Sequence, residues 1–154
     1  MRSGKDGEYH YANDGRYYKG EWKNDLRHGA GQFVYPNGDT FEGTFVKGQR
    51  QGLGRMEFAD GTYYEGSFLQ GQFHGHFCKL VQRDGRVYMG DFVQGVRNGH
   101  GKEMYPNGDL RYEGPWMDDK PVHTNKIQPA PDGFVLQQDD DENHAEEDAS
   151  EKSK

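Results

Sequence analysis

Carboxylates recur along the chain at Glu21, Glu42, Glu65, Asp91 and Glu113, accompanied by His28, His74 and His100 and by one cysteine, Cys78. Paired carboxylates could serve as general acid and base, histidines with a thiolate could hold zinc, and an activated thiol could attack a substrate. All three chemistries need the groups to converge, and the spacing keeps them apart. A carboxylate that returns once per unit lies on the solvated face of a strand, where no burial tunes it as an acid or base. Histidines one unit apart along a stack of paired strands stand roughly 10 Å from each other, far beyond the reach of one zinc ion. Ser67 has no matching His and Asp arrangement, and no glycine-rich phosphate loop opens a helix. Cys78 reads as a small apolar filler at a glycine position, because a reactive thiol needs a cationic setting. The residues therefore predict no catalytic group, no metal and no cofactor, and they assign the histidines to hydrogen bonding in loops.

The elements that carry these residues form an internal repeat. Tyr18-x-Gly20-x-Trp22 returns as Phe41-x-Gly43-x-Phe45, Tyr64-x-Gly66-x-Phe68, Tyr88-x-Gly90-x-Phe92 and Tyr112-x-Gly114-x-Trp116, with starts 23, 23, 24 and 24 residues apart. A second glycine set (Gly29 and Gly31, Gly52 and Gly54, Gly99 and Gly101) and an Asx-Gly step separate the copies. A fixed period of this length marks a repeat array in which each unit buries its apolar face against its neighbours. Alternation of period two predicts strands, joined within a unit by a loop of about six residues. At Tyr35-Pro36-Asn37-Gly38-Asp39 a two-residue hairpin would need an N–H that Pro36 lacks. The sequence instead predicts a three-residue loop with Gly38 in the left-handed region. That loop places Phe33 opposite Phe41, Gly31 opposite Gly43 and Gly29 opposite Phe45, and likewise Met56 opposite Tyr64 and Gly54 opposite Gly66. All these residues share one face, since a one-residue slip would scatter them. One extra residue in the third unit requires a bulge to bring Gly75 and Phe77 back into phase, and the longer Asp109-Leu110-Arg111 implies a local bulge or a bend.

The fold class is thus all-β, a single-layer antiparallel meander of stacked hairpins. With 31% hydrophobic residues, 14% aromatic residues and 23 glycines in 154, the chain has no material for a thick aliphatic core. Residues 1–15 are expected to be a half repeat that caps the first edge, 16–117 the array, 118–138 a cap or linker and 139–154 a disordered acidic tail. Net charge is −7, and residues 121–154 carry most of the acidic excess. An acidic total with no basic stripe argues against nucleic acid. One cysteine, a start without an apolar run, and Arg2 in place of the glycine that myristoylation needs lead to an expected cytoplasmic setting.

The full order found from Tyr18 to Gly38, an aromatic-Gly-aromatic strand, then His-Gly-x-Gly, then Asx-Gly, resembles the MORN (membrane occupation and recognition nexus) repeat across about residues 8–117. The resemblance implies scaffolding, targeting or partner binding rather than chemistry, in cytoskeletal, ciliary or membrane-junction assemblies. On the face shared by rings and glycines, Phe33, Phe41, Met56, Tyr64, Leu80 and Tyr88 are expected along one side of a trench. Trp22, Phe45, Phe68, Phe92 and Trp116 line the other, and Gly31, Gly43, Gly54, Gly66 and Gly90 form the floor. A one-layer sheet has no second layer to cover such a face, so an extended peptide or a helix of a protein partner is expected to lie there. The competing expectation is that rings lean over the glycines and close the trench from within. An anionic lipid surface, drawn by Arg16, Lys19, Lys23 and Arg27, and a homo-oligomer joined through the sheet ends are the secondary partners.

Overall fold

A computed structural model describes residues 4–10 and 15–136. Within them the chain is one open antiparallel sheet of twelve strands that follow each other in space as they do in sequence. They are β1 (Gly4–His10), β2 (Tyr17–Lys23), β3 (Leu26–Val34), β4 (Thr40–Val46), β5 (Gln49–Glu57), β6 (Tyr63–Leu69), β7 (Gln72–Phe73), β8 (Gly75–Val81), β9 (Val87–Val93), β10 (Val96–Met104), β11 (Leu110–Met117) and β12 (Lys120–Pro121). The short β7 and β8 are one strand broken at His74, both pairing with β6. Helical backbone among the described residues is limited to a 3-10 turn at Thr124–Lys126.

Two kinds of turn alternate. At Pro36-Asn37-Gly38 the Gly38 amide donates to Tyr35 O at 3.0 Å, the Tyr35 amide donates to Asp39 O at 2.9 Å, and Gly38 has φ +95°. This is the expected three-residue loop, and the register it dictates is present: Phe33 faces Phe41, Gly31 faces Gly43, Gly54 faces Gly66 and Met56 faces Tyr64. The other connection differs from the expected loop of about six residues. Strands β2 and β3 run on to a two-residue turn at Asn24-Asp25, with φ +52° and +65°, so that Trp22 faces Arg27. Lys47-Gly48, Gln70-Gly71, Gln94-Gly95 and Asp118-Asp119 repeat it with both φ values positive. Such a turn matches the right-handed twist of the flanking strands, and the surplus residues are absorbed in a bulge between the Gly20 and Trp22 pairings.

The third-unit bulge lies between Gly75 and Cys78, and Gly75 returns opposite Phe92. Phe77 does not return to phase. It is the residue the bulge ejects, with φ +58° and 95% of its surface exposed. The second bulge falls between Glu103 and Met104. At the first end β1 pairs with β2, setting Tyr9 opposite Tyr18; residues 11–14 of that half repeat lie outside the described residues. At the other end the Val122 amide donates to Pro115 O and the Gln128 amide to Arg111 O, so the chain folds back over the free edge of β11. Phe134 then packs edge-on to Tyr105 at 5.1 Å. The acidic segment 139–154, and residues 137–138 before it, lie outside the described residues.

The core is one face of this sheet turned on itself. The leading ring of each unit meets the trailing ring of the next edge-to-face: Tyr18 with Phe45 at 5.3 Å, Phe41 with Phe68 at 5.0 Å, Tyr64 with Phe92 at 5.3 Å and Tyr88 with Trp116 at 5.0 Å. Such pairs add about 0.5–1.5 kcal/mol each beyond the area they bury.

Candidate functional site

All the expected groove residues share one face, and the rings themselves fill the trench. A methyl group built on Gly54 would lie 2.6 Å from Phe41 Cε1, one on Gly66 2.8 Å from Tyr64 Oη, and one on Gly90 2.8 Å from Tyr88 Oη. Gly31 is covered by Tyr18 and Gly43 by Phe41 in the same way. Where the leading ring is a tyrosine, its hydroxyl donates to the backbone three residues on: Tyr18 to Glu21 O, Tyr64 to Ser67 O, Tyr88 to Asp91 O and Tyr112 to Pro115 O, all within 2.6–2.8 Å. Burial pushes the Tyr88 phenol up, so it stays a donor, although Arg97 beside it works the other way. In consequence Trp22, Phe33, Phe41, Phe45, Met56, Tyr64, Phe68, Tyr88, Phe92 and Trp116 are all buried, none more than 8% exposed. The expected open channel is closed because glycine leaves space over the backbone that the neighbouring ring occupies at a gain in apolar burial.

Three arginines are packed onto these rings. Arg27, Arg50 and Arg97 take the same place in three units. Each guanidinium donates Nη2 to the carbonyl of the next two-residue turn (Gly48, Gly71 and Asp119, at 3.1, 2.8 and 2.9 Å) and covers a ring of its own unit, Phe33, Phe41 and Tyr88 respectively. The third unit has Phe73 in that place, stacked on Tyr64 at 3.9 Å. Sequence reasoning placed Arg27 only in a lipid-facing basic group and gave Arg50, Phe73 and Arg97 no role, although the four stand 23, 23 and 24 residues apart, the period of the rings. It also passed over Glu103, which takes the position held by Phe33, Met56 and Leu80. This fully buried carboxylate accepts from Gln82 Nε2 at 2.8 Å, from Arg86 and Arg97 at 3.3 Å, and from Arg111. Arg86 also reaches Asp84, and Arg97 reaches Asp119 at 2.7 Å, so three buried or half-buried cations meet three carboxylates.

The recurring carboxylates and the histidines are spread over the opposite face and its loops, whereas Cys78 lies on the ring face. The recurring carboxylates occupy two positions, not one. Glu42, Glu65 and Glu113 precede the glycine of their unit and are exposed, Glu42 on Gln32 and Glu65 on Arg55. Glu21 and Asp91 follow the glycine and accept bulge amides, Ala30 N at 2.6 Å and His100 N at 3.0 Å. Burial pulls the Asp91 pKa upward, but the His100 amide and the His76 ring at 2.8 Å outweigh it and hold the carboxyl below its usual range. His74 Nδ1 accepts the Gln94 amide at 3.3 Å, as Gln51 Oε1 accepts that of Gln70. Cys78 is buried opposite Gly90, with its sulfur against Gly66. Among the described residues no three His, Cys, Asp or Glu side chains gather as a metal site would need. Nor does any helix among them have the length and apolarity to cross a membrane. The four basic residues of the first unit do not form one patch: Arg16 and Arg27 line a cavity on the ring face, while Lys19 and Lys23 stand exposed on the strand positions of opposite parity.

Comparison with curated proteins gives no match. The MORN repeat profile matches residues 18–40, 41–63, 64–76 and 88–110, more than half of the chain. The third match stops one residue short of Phe77, where the bulge departs from the repeat. Proteins built on this repeat are typically non-catalytic scaffolds with protein-binding or membrane-associated roles. With one sheet of stacked hairpins, rings over glycines in every unit and four aligned matches, the chain belongs to the MORN repeat family.

Proposed function

We propose that this chain is a non-catalytic scaffold or adaptor that holds a protein partner in a cytoskeletal, ciliary or membrane-junction assembly. The observation that carries the reading is the apolar side chains on the sheet's outer face. Phe77 is 95% exposed and Leu53 is 73% exposed, with Leu69 and Met89 on the neighbouring strands also open to solvent. No second layer among the described residues covers them, and exposed apolar area on a rigid support beyond a few hundred Å² usually marks a protein contact. The closed ring face serves this role as the rigid backing. It leaves the groove residues to position the contact surface rather than to form it.

The secondary readings have less support. The basic residues invoked for lipid are divided between the two faces, which weakens attraction to an anionic surface. Assembly through the sheet ends meets the folded-back segment at Val122 and Gln128, which occupies hydrogen-bonding groups of β11.

A photo-crosslinking residue placed at position 53 or 77 in the native cell tests the proposal, with the exposed turn position 107 as control. One shared protein adduct at 53 and 77 that is missing at 107 is expected. Identical adducts at all three positions, or none at 53 and 77, would overturn the outer-face assignment.

A further inference from the structure

On the ring face, between the first two units, lies a cavity of about 220 Å³. Its described lining residues include Arg16, Arg27, Lys47 and Arg50 together with Phe33 and Phe45, and none of those described is a carboxylate. The chain contains its own standard for comparison. At the junction between the fourth and fifth units Arg97 occupies the place of Arg27, and the two make the same bond to the following turn, Arg97 to Asp119 O and Arg27 to Gly48 O. Arg97 is then neutralised twice. Its Nε meets Asp119 Oδ1 at 2.7 Å and its Nη1 meets Glu103 Oε2 at 3.3 Å. In the first junction Gly48 stands where Asp119 stands, and Phe33 stands where Glu103 stands. The residue before each turn glycine or aspartate also reverses sign, Lys47 in place of Asp118. Arg27 is thus seated as Arg97 is, stacked at 4.4 Å on Phe33, without either carboxylate.

We infer that this cavity is a carboxylate-binding site, and that an acidic side chain of a protein partner supplies in trans the group that Asp119 supplies within the chain. A guanidinium already fixed by a backbone carbonyl and a ring loses little freedom on pairing, and charge-assisted bonds of this kind are the strong ones. The apolar floor of Phe33 and Phe45 suits the methylenes of the incoming residue. The inference rests on the protein-partner reading for the source of the carboxylate, whereas the site stands on the cavity alone.

The test uses the full chain and an acetylated oligoglutamate peptide, with the arginine side-chain Nε–Hε signals followed by NMR. A saturable shift of the Arg27 signal is expected. Gly48→Asp should weaken it by about tenfold or more, because the installed carboxylate takes the site. Aspartate is tolerated at this turn position, since Asp25 and Asp119 hold φ +65° and +72° there. Lys47→Ser, which leaves the turn backbone untouched, should weaken binding as well. Equal affinity in wild type and Gly48→Asp, or peptide shifts at exposed Arg83 with none at Arg27, would overturn the site. Saturation by inorganic phosphate or by phosphatidylinositol phosphate vesicles without a response to the peptide would overturn the carboxylate assignment. Peptide binding at Arg27 with no crosslinked protein at position 77 would leave this site standing and remove the outer-face contact.

Discussion

Gly54→Ala distinguishes a closed trench from an open one by the sign of its effect. Gly54 lies in β5 with ordinary strand backbone, so alanine fits the chain conformation. In an open trench the substitution would stabilise by about 0.4–1 kcal/mol through the lost entropy of the unfolded chain. In the structure the new methyl would lie 2.6 Å from Phe41 Cε1 and 2.7 Å from Cζ. Phe41 is 1% exposed and is wedged between Phe45 at 5.2 Å and Phe68 at 5.0 Å, so its ring has no free direction in which to yield. Overpacking of this kind costs about 1–3 kcal/mol, and with Phe41 unable to yield the cost falls in the upper part of that range, which leaves a net loss of about 1–2.5 kcal/mol after the entropic gain. Urea denaturation followed by tryptophan fluorescence reads it, and the melting temperature should fall by several degrees, about 2–4 °C per kcal/mol for a chain of this size. In a Phe41→Leu background the clash partner is gone and Gly54→Ala should cost little, giving a coupling energy of about 1 kcal/mol or more. Stabilisation by Gly54→Ala in the wild-type background, or a cost unchanged by Phe41→Leu, would refute the ring-over-glycine arrangement.

Three further outcomes follow from the same contacts. Glu103→Gln leaves Arg86, Arg97 and Arg111 facing each other without their shared carboxylate and should cost about 3–5 kcal/mol in urea denaturation; a loss below about 1 kcal/mol would mean the cluster is not closed to water. The folded-state pKa of Asp91 lies below its unfolded value, so its stabilisation is complete above the unfolded value of about 3.9 and disappears as pH falls through the folded one. Asp91→Asn should accordingly lower stability at neutral pH and flatten the acid limb of the stability curve; parallel curves for the two proteins would contradict this. Phe77→Gly relieves a positive φ at a side chain that touches little, and should raise stability by about 0.5–1 kcal/mol while abolishing the crosslink at position 53. Lower stability would show that the exposed ring is held by contacts within the chain.

Local patterns were legible in the sequence wherever a residue type dictates its own backbone. Pro36 and Gly38 selected the turn, the turn selected the register, and strict alternation then assigned Phe33, Phe41, Met56 and Tyr64 to one face. Other features depend on what lies across the sheet. The fate of the trench was decided by where a ring leans, and that follows from the twist of neighbouring strands, which no spacing records. Phe77 was placed by the bulge around it, which allows one residue to leave the ladder and ejects its side chain. Arg50, Arg97 and Glu103 read as ordinary charged residues in a polar chain, and Arg27 as part of a surface basic group, because burial of a charge is a property of its partners. The sequence by itself determined the repeat, its hairpins and the parity of its faces, since these rest on contacts between near neighbours in the chain. Tertiary structure alone decided that the aromatic face is sealed, that Glu103 is enclosed by three arginines and that Arg27 is held by the Gly48 carbonyl and the Phe33 ring, because each depends on contacts between strands that no spacing records.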